Sequence, residues 1–584
     1  LCLAAPAVAQ SGTSPVASQP RAAQKTNGSD IVVNGIVNKK RGIWRRAESE
    51  HLIVISKGSV DELTRVTKNL ERLYHLMSRL YRAGDQSDGT VKLQVTLVDS
   101  TADFRALNLG NLRSQEGPFS TAFSGQTYYD PREDGDVLAV ARGDQIIELN
   151  TSRAHNLDCD DVLASEGLGG GGLGAGCNSK TVPNYPPATR TWEQLLYSAF
   201  AQHFIQTYDP VAFPRWYLDG IGALFSTVAV RDKGAIDYAA PPENYQQAIR
   251  SYGDLNVGDV LTGRYLDADP KKIGWTPYHA WLLTHFFVFS DLKPERRKQF
   301  RDYMMAIHRG EPMAEAAKIF GNMGMLQREV TKYVVADKRQ ARTEPPQAPI
   351  PDPVITTLSL SSAALVEARV ELGARLAVLP ADAGSATNAA TPTQAQLREG
   401  WIAQLRDTVA RLPYDADAAS FAAEAECRAD QASECLADAE RMLASSPDDV
   451  RALTWKGVAL TDQAVVGSAA DRSVKLAEAR RTIERAIQID GQAPLPLIAY
   501  FQSFTKAGEK VPDQALAGMV KVIRSVPAAP APRLYLAEEL VRQGKVDLAR
   551  RVVSAVLYGG YDSPEKTAAR ALFPPASGPP SAGR

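Results

Sequence analysis

Apolar positions along this chain change their period several times, and each change predicts an element. Residues 52–55 (Leu-Ile-Val-Ile) form a short unbroken apolar run, as a buried strand does. Ser59 followed by Glu62 is a capping-box pattern. Behind it Leu63, Val66, Leu70, Leu73, Met77 and Leu80 recur at steps of three and four, which predicts one helix with a single apolar face. Val91, Leu93, Val95 and Leu97 then alternate with polar residues, which predicts a half-buried strand. Further strands are expected near 121–149, so the first part of the chain reads as α+β.

Periodicity is lost between His155 and Pro187. The run from Gly167 to Gly176 is mostly glycine, but it lacks the Gly-Lys-Ser/Thr ending that a phosphate loop needs, so it reads as a surface loop. From Trp192 the period turns helical, with helices expected near 192–208, 215–230, 276–290, 295–308, 312–320 and 323–335. A Pro-rich stretch, Pro345 to Pro353, and an Ala/Thr/Ser-rich one, Ala381 to Thr393, read as a linker region with a short helical piece between them.

From Gln394 to Leu572 the pattern is one of helical hairpins. Ala537, Gly544, Ala549, Val553 and Val556 stand where a tetratricopeptide repeat places its small and large packing residues. Trp455, Gly457, Ala479, Ile483 and Ala486 make a second match, with helices roughly ten residues further apart than the repeat period. Ala439 and Leu443 suggest a third, weaker unit. The segment resembles a tetratricopeptide-like solenoid; a generic helical bundle is the competing reading.

Composition narrows the classes. Of the 584 residues 44% are apolar and 23% charged, as in globular domains. The 66 basic and 67 acidic residues nearly cancel, so no global field favours nucleic acid. No apolar run reaches the roughly 18 residues of a membrane-spanning helix. Leu1 to Ala9 (LCLAAPAVA) resembles the end of a secretory signal peptide cleaved before Gln10, which predicts an exported, periplasmic protein; envelope-associated and secreted are the alternatives. Cys2 as a lipid-anchored residue is a further alternative. Four cysteines remain after the leader, in two close pairs. Oxidising surroundings favour disulfides Cys159–Cys177 and Cys427–Cys435 among the three possible pairings, and no C-x₂-C spacing points to a zinc site.

The candidate chemistry lies at 197–225. Residues 197–205 read Tyr-Ser-Ala-Phe-Ala-Gln-His-Phe-Ile, and 213–225 read Phe-Pro-Arg-Trp-Tyr-Leu-Asp-Gly-Ile-Gly-Ala-Leu-Phe. Together with Tyr278-His279-Ala280-Trp281-Leu282-Leu283-Thr284-His285, they resemble the peptidase MA-like (gluzincin) family over roughly residues 50–335. In that family one helix carries His-Glu-x-x-His and the next a Glu-Gly pattern. Two imidazoles one helical turn apart, with a carboxylate from the next helix, hold Zn²⁺, and the Glu activates the metal-bound water. In the register set by the flanking residues, Ser198 and Gln202 occupy the two His positions, Ala199 the general-base position and Asp219 the third-ligand position. Gly222 stands where the family has Ala. Zinc is implied by the resemblance, but its ligands are missing: hydroxyl and amide are poor donors for it, and Ala199 accepts no proton.

The resemblance therefore implies a pseudo-metallopeptidase with no catalytic residues, no bound metal and a vestigial peptide cleft. His203, Trp216, Tyr217, Tyr278 and His285 are the candidate cleft residues. The domain order expected is a signal remnant (1–9), a disordered or extended segment (10–49), a peptidase MA-like domain (50–340), a linker region (341–393), tetratricopeptide-like repeats (394–575) and a disordered tail (576–584). The fold class is α+β followed by an α-helical solenoid. The function expected is a non-catalytic envelope scaffold whose repeats bind protein or peptide, with no nucleic-acid partner; a divergent exported hydrolase using Asp219, His203, Tyr278 and His285 is the alternative. The sequence names neither partner nor oligomeric state.

Overall fold

The structure is a computed structural model that describes residues 42–81, 90–109, 126–147, 188–231, 234–242, 256–265, 276–335, 341–346, 349–376, 394–561 and 563–573. The leader, Cys159, Cys177, the Gly-rich run and the tail lie outside the described residues. Contacts divide the chain after Gly42, and the unit from Ile43 onward holds every element below.

The chain begins β1 (Arg45–Glu48), β2 (Leu52–Ser56), α1 (Val60–Tyr81), β3 (Leu93–Val98), α2 (Thr101–Ala106), β4 (Thr127–Asp130) and β5 (Val137–Ala141). It continues through β6 (Gln145–Ile147), β7 (Ala188–Arg190), α3 (Trp192–Tyr208), α4 (Arg215–Ser226), β8 (Ala229–Val230), β9 (Ile236–Tyr238) and α5 (Val257–Thr262). Next come α6 (Thr276–Phe289), α7 (Pro294–His308), α8 (Met313–Ala316), α9 (Met323–Val335), β10 (Arg342–Glu344), β11 (Val354–Thr357), α10 (Leu360–Ala364) and α11 (Val366–Leu376).

Six strands form the main sheet in the order β11-β1-β2-β3-β5-β4. The central pairs β2–β3 and β3–β5 are parallel, which fits the nearly unbroken apolar sequences of β2 and β5. β3 alternates, yet Thr96 and Val98 are buried as well, so it is covered on both faces and not half-buried as expected. Pairing is antiparallel toward both edges. The edge strand β11 and its neighbour β1 correct one expectation, the linker at β11, while a strand at β1 agrees with the extended alternative. β1 falls in the segment expected to be disordered or extended, and β11 in the expected linker region. Both are four residues long, β1 carries Arg45, Arg46 and Glu48, and Val354 of β11 is exposed. Strands so short leave no periodic trace; β1 is placed by pairing with both β2 and β11, and β11 by pairing with β1.

The helical half follows the expected boundaries closely. Ser59 Oγ accepts the Glu62 N–H at the start of α1, while the Glu62 carboxylate pairs with Arg142 instead of closing the capping box. Thr191 and Gln194 do close a reciprocal box at the start of α3. α4 packs between α3 and α6, and Phe200, Phe204, Trp216, Phe225 and Trp281 are fully buried there. The close approach of α4 to α6 depends on Gly220, since a Cβ at that position would meet Thr284 Oγ1 and come within 2.6 Å of the Ala280 carbonyl.

Ten further helices make the repeat part: α12 (Gln394–Arg411), α13 (Ala416–Arg428), α14 (Ala432–Ser445), α15 (Val450–Val466) and α16 (Ala469–Ile489), then α17 (Pro494–Thr505), α18 (Asp513–Ser525), α19 (Pro530–Arg542), α20 (Val546–Leu557) and α21 (Pro564–Leu572). Successive helices pack as neighbours, as stacked hairpins do. Ala537, Ala549 and Val553 are fully buried between α19 and α20, and Gly544 takes a left-handed φ of 77° in the turn between them. Gly457 lies directly against Ile483. The ten-residue excess of that hairpin is helix and not loop, because α15 and α16 have 17 and 21 residues and only Gly467 and Ser468 between them.

Cys427 and Cys435 form a disulfide that spans the turn between α13 and α14. Both residues are buried. Replacing both with Ser is expected to cost about 2 kcal/mol, from the chain-entropy estimate for a short loop. A lower melting temperature, reproduced in wild type by a strong reductant under partly unfolding conditions, is the measurement.

Candidate functional site

α3 and α4 present the motif positions on facing sides. Ser198 and Gln202, one turn apart on α3, both reach Gly222 of α4: a Cβ on Gly222 would stand 2.8 Å from Ser198 Oγ and from Gln202 Nε2. Gly222 thus has a packing reason, since a side chain there would strike both. Gln202 is buried, and its Nε2 donates to the Leu218 carbonyl at 3.1 Å. Ala199 is buried and brings no polar group.

Asp219 is also buried, but its carboxylate has other partners. Tyr561, from the segment before α21, donates its hydroxyl to Asp219 Oδ1 at 2.8 Å. Arg215 Nε lies 3.8 Å from Oδ2. Burial pushes the carboxyl up to about 6, against the opposing pull of Arg215 and the Tyr561 hydrogen bond. A group whose folded-state value is raised stabilises the fold below its unfolded value, near 3.9, and loses that contribution as pH rises through about 6. Wild type is therefore expected to lose stability between about pH 4 and pH 7 from this group. Asp219→Asn is expected to flatten that dependence, gaining on wild type by about 1–3 kcal/mol at pH 7.5. Thermal melts of both proteins across this range check the sign.

The other candidates occupy separate environments. His203 Nδ1 lies 2.9 Å from Asp136 Oδ2, with Tyr129 and Thr207 hydroxyls at 3.2 and 3.3 Å. All four residues are buried beside β4 and β5. His285 is fully buried, and its Nδ1 is 2.5 Å from the Tyr333 hydroxyl. Trp216 and Tyr217 do not line an open cleft. Both are buried, Trp216 with its indole N–H toward Tyr303 and Tyr217 against Phe213 and Phe300, because large aromatic rings at the α4–α6–α7 junction fill the core. His203 and His285 are likewise core groups and not cleft groups. The side chain of Tyr278 lies outside the described residues. Among the described residues, no group of three or more His, Cys, Asp or Glu is arranged to hold a metal ion. No helix among them is long and apolar enough to cross a membrane.

A second constellation went unread in the sequence. The turn between β4 and β5, Pro131 to Asp136, enters the groove of the repeats. Glu133 accepts from the Tyr535 hydroxyl at 2.7 Å and from Arg428 Nη1 at 3.1 Å. Asp134 Oδ2 is 3.5 Å from Arg451 Nη2. Arg428 and Arg451 also grip Glu424, a buried residue of α13, at 3.0 and 2.8 Å. Burial raises the Glu424 carboxyl, but the two guanidinium groups outweigh it and hold it below its ordinary value. Beside the turn remains a cavity of about 540 Å³ with an apolar wall including Trp455, Val458, Leu495 and Ile498. Only the acidic Asp-Pro-Arg-Glu-Asp-Gly-Asp pattern at 130–136 signalled this turn in the sequence.

The fold and sites define an α+β protein with a helical repeat part. Comparison with known proteins adds little to that. No protein-family profile matches the chain, and no curated protein matches it. Among solved structures, it is similar to a thermophilic TPR protein of Thermus thermophilus at 15% identity, over 30% of this chain and 90% of that one, with a TM-score of 0.28.

Proposed function

We propose that this protein is a non-catalytic, exported scaffold that binds a protein or peptide through its helical repeats, and that its α+β part is a peptidase MA-like domain without a working zinc site. One observation carries this reading: the motif positions are engaged in structural contacts. Gln202 gives its amide to a backbone carbonyl, Ser198 packs on Gly222, and Asp219 is held by Tyr561 from the repeat part and by Arg215. Zinc needs imidazole, thiolate or carboxylate groups pointing at one centre. A hydroxyl, a committed amide and one carboxylate do not fit it, so no reaction step is derived through a metal.

The concave surface of stacked hairpins suits extended protein segments. The cell envelope, and the periplasm in particular, is proposed from the leader-like start and agrees with the Cys427–Cys435 disulfide. Two measurements test the reading. Metal analysis of protein purified with added zinc is expected to show no stoichiometric metal. A peptide-library digest is expected to show no cleavage with or without zinc. Stoichiometric zinc lost in Asp219→Ala, or cleavage lost in that variant, would overturn it.

A further inference from the structure

The turn between β4 and β5 meets the repeats almost wholly through charge. Glu133 and Asp134 reach Arg428, Arg451 and the Tyr535 hydroxyl. These ion pairs are part-buried; such pairs add little net stability, but they select for a partner of the right charge. The fit of the turn is also incomplete. Arg428 Nη2, Arg451 Nε and Trp455 Nε1 are buried donors that make no hydrogen bond. Arg428 Nη2 stops 3.7 Å from Asp134 Oδ1, beyond hydrogen-bond reach, so that this acceptor of the turn is likewise left without a hydrogen bond. Arg428 and Trp455 also line the 540 Å³ cavity left beside the turn, and Arg428 stacks toward the Trp455 ring at 5.8 Å. The groove therefore offers more donors, and more room beside an apolar wall, than its present occupant uses.

We propose that this groove is a binding site for acidic peptide segments bearing adjacent carboxylates, and that the Pro131–Asp136 turn is a resident occupant such a segment must displace. The proposal rests on the protein-binding reading above and deepens it by naming the ligand class. A displacing segment places its carboxylates on Arg428 and Arg451, brings acceptors to the unmatched donors, and lays an apolar side chain on the wall formed by Trp455, Val458 and Leu495. Glu424 stays between the two arginines in both states, so the groove holds its shape when the turn leaves.

The probe is a fluorescent peptide copying residues 130–136 of this chain and carrying Arg132→Gln, read by anisotropy on the full chain. Wild type is expected to bind weakly. The Glu133→Gln/Asp134→Asn variant, whose turn no longer competes, is expected to bind at least tenfold more tightly, and adding Arg428→Gln to it should abolish the gain. Equal affinity for wild type and the variant, with matching thermal melts, would overturn the proposal. A second readout needs no variant: saturating peptide should speed tryptic cleavage after Arg132 in wild type several-fold, and an unchanged rate counts against the proposal. Binding only of neutral or lysine-bearing versions of the peptide would overturn the acidic class yet leave a peptide-binding groove. No binding of any peptide by the intact groove variant would overturn both readings.

Discussion

Gly220→Ala is expected to destabilise the α+β part by about 3 kcal/mol, the upper range for overpacking a tight core contact. The added methyl would stand 2.6 Å from the Ala280 carbonyl and against Thr284 Oγ1. A side chain can rotate away, but a carbonyl of α6 moves only with its helix. Because Trp216, Phe225 and Trp281 are buried at the same junction, any shift of α4 disturbs their packing too. The double variant Gly220→Ala/Thr284→Ala should recover only part of the loss, since the backbone contact persists. Thermal and denaturant melts of the two single variants and the double variant measure this. Full recovery in the double variant would place the constraint in Thr284 alone.

Glu424→Gln is the second large effect expected. Glu424 lies closest to both Arg428 and Arg451, at 3.0 and 2.8 Å against 3.7 and 3.5 Å for Asp134, and it is nearly inaccessible to solvent. Removing its charge leaves the two guanidinium groups with Glu133, Asp134 and the more distant Asp417 to balance them. Losing one partner of a fully buried charge cluster costs about 3–5 kcal/mol, and because Arg428 and Arg451 keep 23% and 42% of their side chains exposed, about 1–3 kcal/mol is expected here. Because the carboxyl is held below its ordinary value, its contribution in wild type is present above the unfolded value, near 4.3, and is lost as pH falls below it. The difference between wild type and variant should thus be large at pH 7 and shrink in acid. Melts at pH 7 and pH 4 check both magnitude and sign; a difference that grows in acid would contradict this assignment.

Much of the architecture was legible from periodicity. The α1 face, the β2 and β3 strands and every long helix from Trp192 to Val335 fall where the apolar spacing puts them. The reason is that these elements each bury a face, and a buried face must repeat with the period of its own backbone. The small residues of the repeats were readable for the same reason, since Gly457, Ala537 and Ala549 mark points of closest helix approach. The candidate site was legible in part. The residues at its positions, and the chemistry they lack, can be read in order along the chain. That Ser198 and Gln202 meet at Gly222 could be expected once the two helices faced each other.

Other features came only from tertiary contact. Trp216, Tyr217, His203 and His285 could line a cleft or fill a core with equal regularity, and three-dimensional packing put them in the core. Asp219 read as a lone acid, yet its nearest donor is Tyr561, 342 positions along the chain. β1 and β11 are too short to carry a pattern and are placed by pairing, β1 with both β2 and β11. The acidic turn finds Arg428 and Arg451 some 300 residues away. By itself the sequence determined which segments are helix or central strand, because that depends on local spacing and residue type. Tertiary structure alone decided which charges pair, which aromatic rings are buried and what fills the repeat groove, because those contacts join residues with no shared period.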